Sequence, residues 1–507
     1  MTSTLPAIHR DAPLAMPGEA FRRSGHALVE AIAEFLDSVR ERPVTRPESP
    51  IEVQHLIAAD APLPAIGMDA DELLADTARL LFDHSLLNGH PRFFGYITSS
   101  PAPIGMLGDL LAAAVNANVG SWRLAPVATE IEAQTVRWIA ELVGYPVLGG
   151  GLLVSGGNMA NMVGVFAARA AAATWDVRVQ GVSHAQPRLR VYASAETHTW
   201  LQKATDLAGL GTDAIRFIAT DDAQRLDTRA LRAAIAADRA AGDLPMMVVG
   251  TAGTVSTGAV DPIVEIARIC REFGVWFHID GAYGALAACA PGVPSDLTAL
   301  SLADSVAVDP HKWLYAPLEA GCVLVRDPQR LRDAFAYHPP YYHFGQEALN
   351  YVDFGPQNSR GFRALKVWLA LRQVGREGYV RMISDDMSLR ARLARALQRE
   401  GSFETLTQAL SIVTFRYVPD DLRASTGAVH ADTTAIDQYL DRLNEAVLER
   451  LQQEGELFVS NAIVRGRYAL RACIVNFNTT HEDVDAVPHI IARVGAEVDR
   501  AHRSTRP

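Results

Sequence analysis

Cysteine is scarce in this chain: four residues in 507, Cys270, Cys289, Cys322 and Cys473, with no CxxC pair. That argues against a disulfide scaffold and a cysteine-ligated metal, and no metal site is expected; the four read as reduced, buried thiols of a cytoplasmic protein. Positive charge is in deficit as well. The 47 Lys and Arg stand against 58 Asp and Glu, a formal net charge of −11, which speaks for solubility and against a nucleic-acid partner. No apolar run reaches the roughly 18 uninterrupted residues of a membrane span. Met1 to Pro17 has no apolar core of the kind a secretory signal needs, so it reads as a floppy tail. No internal repeat is visible. What is present is bulk for a core: 49% hydrophobic and 21% charged residues over a length that suggests two or three domains.

Phe21, Leu28, Ile32, Phe35, Leu36 and Val39 recur at helical spacing, with Arg22, Arg23, Glu30, Glu34 and Arg40 on the other face. This predicts an amphipathic helix ending before Pro43. Residues 43 to 67 read as an extended Pro/Ala linker, followed by a helix from about Asp69 to Leu81. From about 90 to 375 short apolar runs alternate with helical stretches. The runs are Leu152 to Val154, Leu189 to Ala193, Ile215 to Ile218, Met246 to Gly250, Val275 to Ile279, Val306 to Val308 and Cys322 to Val325. Such alternation predicts an α/β layer architecture with a mostly parallel central sheet flanked by helices. After about 380 the order helix (Met387 to Glu400), strand (Ser411 to Tyr417), helix (Thr433 to Gln453), strand (Ala469 to Val475) and helix (from Glu482) suggests a small C-terminal α+β domain. The expected division is therefore an N-terminal helical arm and linker over 1–89, a large α/β domain over 90–380 and the small domain over 381–507.

In open sheets of this kind ligands gather at the carboxyl ends of the strands. Asn158, His198, Thr251, Asp280 and Lys312 each fall just after one of the apolar runs. Lys312 sits in Asp309-Pro310-His311-Lys312-Trp313; a lysine there is ordinarily a solvated amine, but it is also what a Schiff base with a carbonyl cofactor needs. Asp280 closes Val275 to Ile279. It reads either as a cap in the turn before Gly281 or as a buried carboxylate awaiting a positive partner such as a pyridinium nitrogen. Ser155-Gly156-Gly157-Asn158 lies between a strand and a helix (Met159 to Ala173), where backbone N–H groups cradle phosphate or a side chain merely caps. His198 can stack on a ring and move protons, and Thr251 either ends a strand or supports such a ring. Ala282 is small enough to let a flat ring lie against it. Residues 338 to 358 hold three Pro, two Gly and three Tyr (Tyr341, Tyr342, Tyr351) without period. They read as a lid on which Tyr351 either delivers a proton or packs the loop down. Together these are the parts of a pyridoxal phosphate (PLP) site.

Longer blocks carry a family likeness: His90-Pro91-Arg92-Phe93-Phe94, Pro126-Val127-Ala128-Thr129-Glu130-Ile131-Glu132, Asp280-Gly281-Ala282-Tyr283, Pro310-His311-Lys312-Trp313 and Ser359-Arg360-Gly361-Phe362-Arg363-Ala364-Leu365-Lys366. From Phe21 to about Val494 the chain resembles the aromatic-L-amino-acid decarboxylase family, the group II PLP-dependent decarboxylases of fold type I. The resemblance implies that Lys312 carries the cofactor and that Asp280 pairs with its ring nitrogen. His198 and Ala282 lie on opposite ring faces, Gly157, Asn158 and His311 around the phosphate, and Thr251 beneath the ring. It implies that Tyr351 is the proton-donating lid tyrosine, and that Tyr96, Thr98, Asn118 and Gly120 border the substrate. It further implies a homodimer with N-terminal helices wrapped around the partner and shared active sites. The implied reaction is α-decarboxylation of an L-amino acid, aromatic by family habit, to the amine and CO2. Oxidative deamination to an aldehyde is the nearest alternative, and Tyr351 speaks against it, because that branch typically has Phe there. Decarboxylation of an acidic or larger amino acid, a transaminase and a non-catalytic scaffold follow. Three departures stand out. Asp309 replaces an Asn common in the animal enzymes and is expected to point away from the phosphate or to meet an arginine. Gly120 stands where the animal enzymes put an aromatic ring into the partner's substrate pocket, so losing that ring should widen that pocket or expose it, and Arg123 adds a charge nearby.

Overall fold

The computed structural model describes residues 12–183, 187–338, 348–423 and 434–502. Its centre is a seven-stranded sheet in the order β1-β7-β6-β5-β4-β2-β3. The strands are β1 Gly150–Val154, β2 Leu189–Ser194, β3 Ile215–Ile218, β4 Leu244–Thr251, β5 Trp276–Asp280, β6 Ser305–Val308 and β7 Gly321–Val325. β7 is antiparallel to both neighbours, and the other pairs are parallel, so six strands share one direction. β2, β6 and β7 are buried at every position, which is why they read as continuous apolar runs rather than as alternation. Helices cover both faces, among them Gly157–Ala172 and Ile263–Phe273. The first sits against β4 to β7. The second ends on Gly274, whose φ of 64° stops the helix.

A second, antiparallel sheet in the order β10-β11-β9-β8 follows, from β8 Phe403–Ala409, β9 Ile412–Tyr417, β10 Ser460–Val464 and β11 Arg467–Cys473. The sequence reading finds β9 and β11 but not their partners. β8 is only half-buried along its length and β10 alternates buried with exposed, so neither carries a solid apolar run. The helices Thr434–Glu454 and His481–His502 close a core around Phe415, Leu443, Val447, Leu470 and Ile491. The expected boundary near 380 falls inside one long helix, Ala364–Glu400, broken in φ/ψ only at Gly375. This helix is shared: it contacts both the second sheet and the helix Pro103–Val115.

Residues near 90 also tie the two halves. The Phe94 N–H donates to Phe458 O (2.7 Å), and Cys473 N–H donates to Phe94 O (3.0 Å). The N-terminal helix spans Gly18–Ser38 and packs on Ala70–His84, with Phe35 stacked on Phe82 at 4.3 Å. The stretch expected to be extended holds a short helix, Pro50–Leu56, started by a reciprocal Ser49/Glu52 cap. Among the described residues no helix is long and apolar enough to cross a membrane.

Candidate active site

The parallel strands end at one edge, and five of the expected residues meet there. Lys312 lies in the one-turn helix Pro310–Trp313 after β6. Ser99 Oγ donates to His311 O at 2.9 Å, and His311 Nδ1 donates to Ala320 O at 2.6 Å, so the turn is gripped from two directions. The second bond puts the ring proton on Nδ1, and burial holds this imidazole below its ordinary range. The chain has only two other lysines, Lys203 and Lys366. Lys203 is exposed, and Lys366 is buried with its amine on Asp109 at 3.1 Å. That scarcity is a sequence signal for Lys312 which the motif reading does not use.

Asp280 ends β5 in register with Thr251 on one side and Ala307 on the other. Its Oδ2 accepts from Trp200 Nε1 (2.7 Å) and its Oδ1 from the Ala282 N–H (3.2 Å). Ala282 O in turn accepts from the Asp309 N–H at 3.1 Å, so the Asp280 turn and the Lys312 turn are bonded to each other. Two residues back, the buried His278 lies between Ser305 Oγ and Asn161 Oδ1, each at 2.7 Å. Burial pushes its imidazole down to about 4. It is therefore neutral near pH 7 and brings no competing cation beneath Asp280. His198 presents an open face at the mouth of the cleft, with Nδ1 accepting from the Trp200 N–H at 3.2 Å. Desolvation is the main cause that holds it below the usual histidine range.

The turn after β1 has Gly156 at φ 102°, and the 16-residue helix starts at Gly157. A Cβ on Gly157 would fall 2.5 Å from Asp309 Oδ2, and one on Gly321 would fall 2.4 Å from the Gly156 backbone. Only bare backbone fits at these two places. Asn158 is exposed on the first turn of the helix. Two buried polar atoms here, Thr251 Oγ1 and Asp309 Oδ1, have no hydrogen-bond partner among the described residues. A lysine, a fixed carboxylate, a histidine facing the cleft, an orphan hydroxyl and a glycine turn on a helix N-terminus suit PLP.

Asp309 does not behave as expected. It is buried and neither points away nor meets an arginine. Its Oδ2 lies 3.3 Å from Lys312 Nζ and 3.7 Å from His311 Nε2. The lysine stands where the arginine was sought.

The substrate side also needs correction. Tyr96 is exposed, held in the left-handed region (φ 46°) by Arg471 Nη2, which donates to its carbonyl at 3.1 Å; Thr98 is half-buried. Asn118 spends its side-chain oxygen on the backbone, accepting from the Gly120 N–H (3.1 Å) and the Arg360 N–H (3.0 Å). A Cβ on Gly120 would fall 2.4 Å from Asn358 O. Any side chain at this position would therefore require the Asn358 backbone to shift. Tyr351 is 1% exposed, in a short turn inside a hydrophobic cluster, with the Arg360 guanidinium 4.6 Å from its ring centre. Burial raises its hydroxyl well above the usual range. A side chain held this way packs a core; it is not an acid carried on an open lid. Tyr341 and Tyr342 lie outside the described residues.

The motif reading misses two partners. Trp200 orients Asp280 from 80 residues away, and Asp386 receives both Trp313 Nε1 and the Tyr315 hydroxyl. No local pattern flags either one, since each lies within an ordinary helix.

The sheet edge and its residues define a PLP-dependent enzyme of the α/β class. The chain belongs to the pyridoxal-dependent decarboxylase family: residues 51–418 match its conserved domain. An aromatic-L-amino-acid decarboxylase of Bacillus atrophaeus is 30% identical over 96% of this chain and 97% of its own. A phenylacetaldehyde synthase of Petunia hybrida is 28% identical over 93% and 94%. The crystal structure of Oryza sativa TDC with PLP and tryptamine superposes with a TM-score of 0.86 at 28% identity, covering 96% of this chain and 99% of that one. The protein is thus a PLP-dependent amino-acid decarboxylase.

Proposed function

We propose that the substrate is an aromatic L-amino acid, converted to its amine and CO2 by a cytoplasmic homodimer. The observation that carries the reading is the single strand edge on which Lys312, Asp280, His198, Thr251 and the Gly156-Gly157 turn converge. Bound PLP supplies an electron sink for the pair left behind when CO2 departs. Lys312 would hold the cofactor, with Asp309 as the anion beside its Nζ. Asp280, oriented by Trp200, would be the charge and hydrogen-bond partner of a ring nitrogen. Ala282, His198 and the unpartnered Thr251 Oγ1 would border the ring. The backbone of the Gly156-Gly157 turn would hold the phosphate with Asn158 beside it, and a neutral His311 with its proton on Nδ1 would border that site without donating to it.

Tyr96 offers a ring beside Phe458, 6.0 Å between centres. The names of the relatives point the same way. A partner subunit is supported by the helix Pro103–Val115, which leaves Leu107, Leu110, Leu111 and Val115 exposed along its length. The division into an arm, a large domain and a small domain follows the two sheets, with Ala364–Glu400 shared between them.

With Tyr351 packed away, His198 is the described residue at the cleft that can return a proton to carbon. The case against the aldehyde branch that rested on Tyr351 lapses. The phenylacetaldehyde synthase relatives keep that branch as the second reading. Purified protein with PLP, oxygen and a mixture of the standard amino acids and DOPA decides, by mass spectrometry of the products. An aromatic amine without peroxide supports the first reading. An aldehyde with peroxide and ammonia supports the second, and a non-aromatic amine alone overturns the aromatic assignment.

A further inference from the structure

The turn that carries Lys312 has an anchor which the chemistry described above does not use. Asp386 lies on the long helix Ala364–Glu400, is 2% exposed, and forms no salt bridge among the described residues. Its Oδ2 accepts from Trp313 Nε1 at 2.8 Å and from the Tyr315 hydroxyl at 2.7 Å. These donors lie one and three residues beyond Lys312. Tyr315 has φ 55°, a left-handed backbone that a non-glycine residue keeps only when its surroundings impose it. Its carbonyl accepts from the Ala102 N–H at 2.8 Å, and Tyr379 donates to Leu314 O at 3.2 Å, so the backbone between the two anchored rings is fixed as well. Trp313 also stacks on Tyr283 at 5.0 Å, and Tyr283 belongs to the Asp280 turn. One buried oxygen therefore adds a side-chain anchor from the long helix to the backbone bonds that hold Lys312 near Asp280.

We propose that Asp386 is a positioning residue for Lys312, acting through Trp313 and Tyr315. The proposal rests on the reading of Lys312 as the cofactor lysine. A lysine displaced by even an ångström costs about a hundredfold in rate. Alanine at 386 leaves two buried donors without an acceptor, whereas asparagine keeps an acceptor oxygen of the same reach.

A pH signature accompanies the role. Burial pushes the Asp386 carboxyl from 3.8 up to about 7. The Trp313 and Tyr315 donors and the Asn476 backbone oppose the rise, and Asp385 adds to it. Of the other titratable groups that feel this charge, Tyr315 and Cys473 are both held protonated by burial, and Tyr379 lies behind Tyr315. A carboxyl raised in the folded state supports the closed turn at low pH and loses that support as pH rises through about 7. Between about pH 6 and about pH 8 the balance shifts toward the open turn by about tenfold. The wild-type holoenzyme should release PLP correspondingly faster across that range, and Asp386→Asn should remove this component.

The test compares wild type, Asp386→Asn and Asp386→Ala as purified holoenzymes, by PLP release into a cofactor trap at the two pH values and by kcat. Expected are a loss of about a hundredfold in kcat for Asp386→Ala, rescue by Asp386→Asn to within a few-fold, and a flattened pH dependence in the Asn variant. Equal kcat in folded Asp386→Ala, or the same pH dependence in wild type and Asp386→Asn, overturns the proposal. If Asp386→Ala does not fold, Tyr315→Phe, which removes one donor, replaces it, and unchanged kcat and PLP release there count against the idea. Wild type that never develops the visible band of lysine-bound PLP sinks the reading of the site itself. A normal band with flat profiles sinks only the role of Asp386.

Discussion

Arg360→Ala should destabilise the protein by about 3–5 kcal/mol, the range for stranding one partner of a buried ion pair. The pair is Arg360 with Glu132, whose side chains are 1% and 0% exposed. Arg360 Nη2 donates to Glu132 Oε1 and to Leu153 O (2.6 Å), and Nη1 donates to Val119 O (2.9 Å) and Glu132 Oε2 (3.2 Å). Truncation leaves Glu132 with the Leu153 N–H at 2.9 Å as its remaining hydrogen bond. It also orphans two carbonyls at about 1 kcal/mol each and removes a cation from the Tyr351 ring. Chemical unfolding of the cofactor-free protein, read as midpoint times slope, measures the loss. The double variant Arg360→Met with Glu132→Leu removes both charges and should recover most of it, because desolvating the pair already consumes much of its attraction. PLP should bind more weakly to Arg360→Ala, since Leu153 lies two residues before the Ser155 turn. A loss below about 1 kcal/mol, or a double variant as unstable as the single one, would refute the argument.

Three further outcomes follow from the geometry. Trp200→Phe removes the Nε1 donor from a buried carboxylate and should cost about 1.5–3 kcal/mol of hydrogen bonding, seen as weaker PLP binding and a fall in kcat of tenfold or more; unchanged values would show that Asp280 needs no external orientation. Gly120→Ala drives a methyl into Asn358 O and should destabilise the chain by about 1–3 kcal/mol; a stable variant in thermal unfolding would contradict this. His278 has a folded value of about 4 against 6.5 when unfolded, so its contribution is present above 6.5 and lost as pH falls toward 4. Stability measured across that window should fall with acid in wild type and fall less in His278→Asn, and parallel curves would count against a neutral buried His278.

The residues proposed to hold the cofactor are legible in the sequence because they are local signals. Each stands where a short apolar run ends, and a run of β-branched residues followed by a turn is decided by a handful of neighbours in the chain. Lys312, Asp280, Thr251, His198 and the Gly156-Gly157 turn all came to one edge because parallel strands have no other arrangement for their carboxyl ends. Other readings failed where the answer lies far along the chain. The half-polar strands β8 and β10 exist because neighbouring strands pair with them, not because their own pattern demands it. Tyr351 reads as a lid residue until Arg360 is seen against its ring, and Gly120 reads as free space until the Asn358 carbonyl is seen beside it.

Sequence by itself determined the kind of chemistry, since the lysine, carboxylate and glycine turn proposed to hold the cofactor are properties of residue type and of short spacing. Only the tertiary structure decided how those groups are held. Trp200 on Asp280 and Asp386 gripping Trp313 across 73 residues are contacts that close-packing creates and that no local spacing encodes.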